Sequence, residues 1–372
     1  MARVAYLAPE IPALSATFVY EELLALEKTG IDVVPVSVRR PSQIANVDSS
    51  LVDRVKVLYP LGISNSGQND LKLAAISFRG VAKAFSWLLR DMLSCWRRPV
   101  AAAKLGYQFL AAMKLASVLR EQRCCHLHVH FAHVPAQIAA YASALSGVPF
   151  TITAHANDIF ERGMLLKQKA NRASRFLTIS QFNLAYLEKI GLPREKLAVV
   201  RCGVSFAAEN AQQVRQPVGG VHIGSLGRLV EKKGMAILIK AVARLREDGL
   251  DVQLSIAGDG PLESELKALA LRSNVHDAVK FLGAVSHSDV QSWLQSLDIF
   301  ALACVKDSAG DMDGIPVAIM EAMSQQIPCV STRLSGIPEL VIDGETGLLA
   351  LFLWVKPTTG QIIYGKIFKP QR

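Results

Sequence analysis

The sequence predicts an α/β protein made of two Rossmann-like domains that face each other across a cleft. Three observations carry that expectation. Short apolar runs of strand length alternate with helical stretches along the chain, the pattern of a parallel sheet. The alternation is interrupted once, by a stretch rich in Gln, Asn, Pro and Gly, and then restarts. The length of 372 residues suits two domains, and 51% hydrophobic against 20% charged residues is the composition of a folded globular chain. The expected boundaries are an N-terminal domain over 1–205, a linker over 206–220, a second domain over 221–350 and a tail over 351–372.

The elements follow in order. Residues 3–7 are apolar and short, a first strand, and 18–28 form a helix stopped by Gly30. A second strand covers 32–38, so the chain opens as strand, loop, helix, strand. A basic helical stretch comes next. Strands are then expected at 126–131, 150–153, 175–179 and 198–201, with helices at 136–145, 164–170 and 181–189 between them. After the linker, strands at 221–226, 252–257, 279–282, 299–303 and 329–331 alternate with helices at 234–248, 262–271, 287–296 and 317–324. In open parallel sheets, ligands sit outside the C-terminal ends of the strands, so the loops there are the ones to search.

The net charge of +9 is uneven. Between Leu71 and Arg120 nine basic residues face a single acid, Asp91, and the same segment holds Phe78, Phe85, Trp87, Trp96, Tyr107 and Phe109. The last 22 residues carry four basic residues and no acid, and the rest of the chain is mildly acidic. Apolar residues interleaved with Lys and Arg suit a helix lying on an anionic membrane. They equally suit two core-packing helices with a solvated basic face. No helix-turn-helix, zinc-finger or RNP-like pattern points to nucleic acid. No stretch approaches the ~18–20 uncharged apolar residues of a spanning helix. The start lacks a signal-peptide core, so a cytoplasmic chain, peripheral on the inner membrane face, is expected. The six cysteines are scattered without a CxxC pair, which argues for free thiols rather than disulfides or a zinc module.

Candidate chemistry lies in five places. The run Gly227-Arg228-Leu229-Val230-Glu231-Lys232-Lys233-Gly234 leaves a strand and opens a helix, which sets Arg228 and Lys233 beside free backbone N–H groups, a site for a phosphate or diphosphate. The turn Gly258-Asp259-Gly260-Pro261 is a weak signal and reads as a tight turn. In Asp313-Gly314-Ile315-Pro316-Val317, followed by Glu321, an acid in a loop stands eight residues before an acid on the next helix. N–H groups near Gly314, Ile315 and Val317 would meet phosphate oxygens, whereas Pro316 has none to give. Glu321 sits in an otherwise apolar helix, where a carboxylate needs partners such as two vicinal hydroxyls. His155 directly follows a strand, where it would donate to a developing oxyanion or move a proton. The run His126-Leu127-His128-Val129-His130 with His133 puts three imidazoles on one strand face, but positions two apart along one strand suit a tetrahedral metal poorly. His130 and His133 are instead expected to line the cleft, with no metal.

These segments together (HVHFAHVPA, TAHANDIF, SQFN, RCGV, GRLVEKKG, AGDGPL and the run from Asp313 through DGETGLL) resemble the large retaining glycosyltransferase family called family 4, of GT-B fold. The branch of exopolysaccharide and colanic-acid enzymes is the nearest in pattern, over about residues 1–350. The resemblance implies a second domain that binds a nucleotide-diphosphate sugar and an N-terminal domain that binds a glycan acceptor, often lipid-linked. By that match Arg228 and Lys233 hold the diphosphate, with Gly314, Ile315 and Val317 beside it. Glu321 binds the ribose hydroxyls, Asp313 contacts the donor sugar and His155 lies against the transferred sugar. Ser15, Thr17, His130, His133 and Asp158 fall on the acceptor side of the cleft. No metal or other cofactor is implied. Asp313 stands where the family more often has Glu, Ala16 where an acid is expected, and Ser205 where an acid usually follows the RCGV strand. Residues 351–372 lack the family's charged helical end and read as an unrelated tail. A poorly active nucleotide-sugar-binding remnant is therefore the second reading, and a sugar-nucleotide epimerase-like enzyme the third.

Overall fold

The computed structural model describes residues 2–13, 16–41, 49–59, 77–204 and 220–351. Ser15 and nearly all of the expected linker and tail lie outside the described residues. The chain divides into two compact units, Met1–Arg201 and Cys202–Arg372.

The first unit is a seven-stranded parallel sheet. Its strands are β1 (Arg3–Ala8), β2 (Asp32–Ser37), β3 (Lys56–Val57), β4 (His126–His130), β5 (Phe150–Ala154), β6 (Arg175–Thr178) and β7 (Leu197–Val199), in the order β3-β2-β1-β4-β5-β6-β7. Period-two alternation divides β1 between two layers. Ala5 and Leu7 enter the main core, whereas Tyr6 and Ala8 join a smaller cluster with Val19, Tyr20 and Leu23 of α1 (Thr17–Lys28). The main core is closed by α3 (Phe78–Ser94), α4 (Pro99–Glu121) and α5 (Val134–Ser146), with α2 (Ser49–Arg54), α6 (Ala156–Phe160), α7 (Leu166–Arg172) and α8 (Gln181–Lys189) completing the unit.

The basic segment resolves into α3 and α4. Helix α3 buries Gly80, Ala84, Leu88 and Asp91 on one face. Asp91, the only acid among those nine cations, is fully buried. Arg172 grips it with two hydrogen bonds of 2.6 and 2.7 Å, and Tyr141 and Gln137 donate to it at 2.8 and 2.7 Å. The Arg172 guanidinium also lies 4.7 Å over the Trp87 ring. The outward face of α3 and of the turn after it carries Phe78 (87% exposed), Phe85, Leu89, Leu93 (71%) and Trp96 (69%) beside Arg79, Lys83, Arg90, Arg97 and Arg98. Among the described residues no helix is long and apolar enough to cross a membrane.

The second unit is a six-stranded parallel sheet of β8 (Val221–Leu226), β9 (Val252–Ala257), β10 (Val279–Gly283), β11 (Ile299–Ala301), β12 (Cys329–Thr332) and β13 (Gly347–Ala350), in the order β10-β9-β8-β11-β12-β13. Helices α9 (Met235–Glu247), α10 (Glu263–Arg272), α11 (His287–Leu294) and α12 (Val317–Ser324) connect the strands, and its core is built around Ile239, Leu254, Ile256, Phe300 and Ile319. Of the six cysteines, Cys95, Cys124, Cys304 and Cys329 are buried, Cys202 is half-buried and Cys125 is exposed.

Both sheets agree with the expected alternation. Four short elements, α2, β3, α6 and β13, escape a sequence reading because each is held by its neighbours rather than by its own pattern. The strand expected at 299–303 ends at Ala301, where the chain leaves the sheet to form the candidate site.

Candidate functional site

In the second unit the strand order reverses at β8, which lies between β9 and β11. A reversal of this kind is where open parallel sheets bind ligands, beyond the C-terminal ends of the strands. The loop after β8 is clamped on both sides. Gly258 has φ +124°, and a Cβ on it would come 2.1 Å from the Gly227 carbonyl oxygen. Gly234 has φ +66°, and its Cβ would stand 1.8 Å from the Ala303 oxygen, so only glycine permits either approach. The Leu229 N–H donates to the Asp259 carbonyl at 2.7 Å and the Val305 N–H to that of Lys232 at 2.9 Å. The Gly-Asp-Gly-Pro turn is therefore a brace for the cationic loop.

That clamp brings two lysines onto two aspartates. Lys233 Nζ lies 2.8 Å from Asp313 Oδ2, and Lys232 Nζ lies 2.6 Å from Asp311 and 3.7 Å from Asp313 Oδ1. The side chains of Lys233 and Asp313 are only 16% and 13% exposed. Burial pushes the Asp313 carboxyl up, but Lys233 and then Lys232 outweigh it and hold it below the usual range. Burial pushes Lys233 down, and Asp313 more than reverses this. Both are charged at neutral pH. Cys304 donates its thiol to Asp313 at 3.4 Å, and burial, then Asp313, raise it far above its ordinary value, so it serves as a donor rather than a nucleophile. The sequence reading missed Lys232 and Asp311. The adjacent lysines of GRLVEKKG and the acid two residues before Asp313 were the available signals.

The other predicted residues of this unit are placed as follows. Arg228 is exposed on the same loop as Lys233. Gly314 and Ile315 are buried, and Val317 opens α12, whose first N–H groups have no partner within the helix. Glu321 is half-buried in the second turn of α12.

In the first unit the order reverses at β1, between β2 and β4. Histidines of β4 meet threonines of β5 across the sheet. His126 and His128 contact Thr151 Oγ1 at 3.0 and 2.8 Å, and the second ring nitrogen of His128 lies 3.1 Å from Thr153 Oγ1. His130 lies 3.0 Å from Tyr6 Oη, 3.2 Å from His155 Nε2 and 3.5 Å from Glu22. Phe18 and Phe131 pack their rings on His155 at 4.8 and 4.7 Å. Burial, and then neighbouring imidazoles, hold His155 down to about 3 and His128 to about 4. Burial followed by nearby cations holds His133 down to about 3. At neutral pH these rings are uncharged hydrogen-bonding groups. Glu22, His128 and His130 each bring a ligand atom within 4.8 Å of the others. Both nitrogens of His128 are already engaged by Thr151 and Thr153, so hydrogen bonding accounts for that cluster.

Two assignments are corrected. His130 and Asp158, expected to line the acceptor side, are both fully buried. His130 stands behind His155 and fixes it. Asp158 accepts from the N–H groups of Ala132 and, at 2.9 Å, His155, tying the ends of β4 and β5 together. Burial outweighs those hydrogen bonds and pushes its carboxyl up to about 7. Thr17 starts α1 and is half-buried. His133 precedes α5 and accepts from the Val134 N–H at 2.7 Å.

Comparison with known proteins covers both units. The family model described as "Glycosyltransferase Family 4" matches residues 91–207, and the one described as "Glycosyl transferases group 1" matches 220–354. A putative colanic acid biosynthesis glycosyltransferase of Escherichia coli is 39% identical over 201 residues, 52% of this chain and 50% of that protein. The chain thus spans about half the length of the colanic-acid relatives it matches. An amylovoran biosynthesis glycosyltransferase of Erwinia amylovora is 29% identical over 378 residues, covering 94% of this chain and 86% of that one. Among solved structures, an Anabaena protein crystallised with UDP and glucose matches with a TM-score of 0.66 at 18% identity, over 94% of this chain and 86% of its own. A lipopolysaccharide outer core galactosyltransferase matches with a TM-score of 0.60, also at 18% identity, over 94% and 85%.

Proposed function

Since the chain belongs to the family 4 glycosyltransferases of GT-B fold, we infer that it transfers a sugar from a nucleotide-diphosphate donor to a glycan acceptor in exopolysaccharide biosynthesis. The observation that carries this reading is the Lys232, Lys233, Asp311, Asp313 cluster at the point where the second sheet reverses. Cations fixed in a part-buried crevice stabilise charge that grows on a leaving diphosphate, and they do so without reorganising at the moment of reaction. The first N–H groups of α12 add partial positive charge beside them. Glu321 accepts from the ribose hydroxyls, and Asp313, held ionised, faces the donor sugar.

Transfer proceeds with retention. The acceptor hydroxyl attacks on the face that the diphosphate leaves, and a diphosphate oxygen takes its proton. His155 donates a neutral N–H to the sugar being moved, with His130 behind it. The acceptor is lipid-linked, and the enzyme works from an anionic membrane surface. The outward face of α3 and the turn after it support this, because together they present large apolar side chains and five cations.

Calorimetric binding of UDP-, GDP- and ADP-sugars, followed by donor hydrolysis, tests the reading. One nucleotide class should bind in the micromolar to millimolar range and be turned over. Failure of every nucleotide sugar to bind would remove it.

A further inference from the structure

Beyond the C-terminal ends of β1, β2 and β4, the first unit holds a cavity of about 710 Å³ that the chemistry above does not use. That is the size of an ordinary small-molecule site. Arg39, Arg98, Arg162 and Lys169 stand in its wall against one carboxylate, Glu161. The side chains of Arg39 and Arg162 are 70% and 59% exposed, paired with Glu10 at 2.7 Å and Glu161 at 3.8 Å. Their charges converge: after burial, the fields of Arg162, Lys169 and Arg39 are what keep His133, another wall residue, unprotonated. Lys169 is buried and already donates to the Ala132 carbonyl, so the three arginines are the groups left to meet a ligand.

The same wall contains two buried amides. Gln108 and Gln137 are 7% and 1% exposed, and among the described residues the Oε1 of each has no hydrogen-bond partner. Native folds rarely leave a buried carbonyl without a donor, and such groups call for an explanation. Cations ask for an anion, and orphan carbonyls ask for O–H or N–H groups. A polyhydroxylated anion supplies both.

We propose that this cavity seats a hydroxyl-bearing anionic part of the glycosyl acceptor, its phosphate or carboxylate against Arg39, Arg98 and Arg162 and its hydroxyls donating to Gln108 and Gln137. The proposal rests on the reading that this unit receives the acceptor. It adds that the acceptor is charged where it is held. Two sources share that chemistry: a sugar borne on phosphate, or an acidic sugar within the glycan.

Ligand-observed NMR titration of the full chain with glucose 1-phosphate, glucuronate, glucose and inorganic phosphate tests it. At least one sugar anion should bind about tenfold or more tighter than glucose, and the preferred anion identifies the source. Arg98→Gln and Arg162→Gln should each weaken that anion about tenfold, the loss of one charge-assisted contact. Gln108→Met should weaken the sugar anion and leave inorganic phosphate unchanged. It should also raise the Tm, because a buried acceptor without a donor is gone. Equal binding of glucose and both sugar anions would overturn the proposal. So would anion binding that survives both arginine substitutions, or that is lost in Lys233→Ala, which would put the anion in the other unit. Nucleotide-sugar binding on the same samples reports on the second unit alone, so the two readings fail separately.

Discussion

Replacing Lys233 by Ala should damage stability and donor binding together, and the two losses can be separated. Lys233 and Asp313 form a part-buried pair at 2.8 Å. Removing one partner of a buried pair typically costs ~3–5 kcal/mol, because the other charge is left uncompensated. Here Lys232 remains 3.7 Å from Asp313 Oδ1 and keeps part of that charge neutralised, so a smaller loss of ~2–3 kcal/mol is expected. Donor binding should lose a charge-assisted contact as well, ~1.5–3 kcal/mol or about 10- to 100-fold in Kd. The double variant Lys233→Met, Asp313→Asn removes both charges and should return to within about 1 kcal/mol of the parent in stability, yet bind donor no better than the single variant. Arg228→Ala is the control: it is exposed on the same loop, and should weaken donor binding with the urea midpoint unmoved. Urea unfolding and calorimetric titration with the preferred nucleotide sugar supply both numbers. Parent-like stability in Lys233→Ala would mean that the pair contributes nothing. Donor affinity recovered in the double variant would show that the single variant lost it through misfolding, and the diphosphate role would fall.

Three further outcomes are expected. Glu321→Gln should weaken nucleotide binding several-fold while leaving a 2′,3′-dideoxy nucleotide unaffected, and an undiminished preference for the ribose form would refute the hydroxyl contact. Burial holds His133 and His155 down to about 3 and His128 to about 4, with His130 lower than its ordinary value too, so the unfolded chain binds protons below pH 6.5 that the fold does not. Asp158, pushed up to about 7, works the other way by up to one proton. Near pH 5.5 unfolding should take up ~2–3 protons net, so stability should fall by ~3–4 kcal/mol per unit as the pH drops, and a urea midpoint flat between pH 6.5 and 5 would refute this. The protein should co-sediment with vesicles containing anionic lipid and release at high salt, each cation near the surface contributing about 1 kcal/mol, and neutralising Arg90 and Arg97 should weaken the association. Binding indifferent to lipid charge would remove the membrane reading.

How much of this was legible in the sequence depends on how local the cause is. Elements such as 181–189, 221–226, 252–257 and 317–324 coincide with the structure because each carries its own period and its own boundary signals. Strand β13 has four residues, and only its pairing with β12 makes it a strand. Helix α6 has five, held by Asp158 and the His155 N–H. The candidate site divides the same way. Lys233 and Asp313 were each readable as motif residues, but their contact depends on β8 lying next to β11 while β9 and β10 fall on the other side. A run of alternating histidines says which face they share. It does not say that the face is covered by Tyr6 and Phe18 and joined to Thr151 and Thr153, which is why His130 read as a lining residue and is a buried support.

Asp91 shows how a buried charge alters the reading of a surface. In sequence it is the one acid that dilutes a strongly basic stretch, and it suggests a mixed, solvated helix face. In the fold it points inward, where a bidentate Arg172 and the hydrogen bonds of Tyr141 and Gln137 satisfy it. Arg79, Lys83, Arg90, Arg97 and Arg98, which accompany it in sequence, stay exposed. The outward face of α3 therefore carries no acid to offset Arg79, Lys83 and Arg90, and Phe78, Phe85, Leu89 and Leu93 lie among them. Scattered apolar side chains are ordinary on a protein surface, and a row of them beside unopposed positive charge suits a partner that is both apolar and anionic. The inward network also bears on the cavity proposed above. Gln137 gives its Nε2 to Asp91 and is also a residue of the cavity wall, so one residue links the anchoring of α3 to the proposed acceptor seat. Arg98, in the turn after α3, belongs both to this exposed positive face and to the cavity wall, so the surface and the proposed seat meet at one residue.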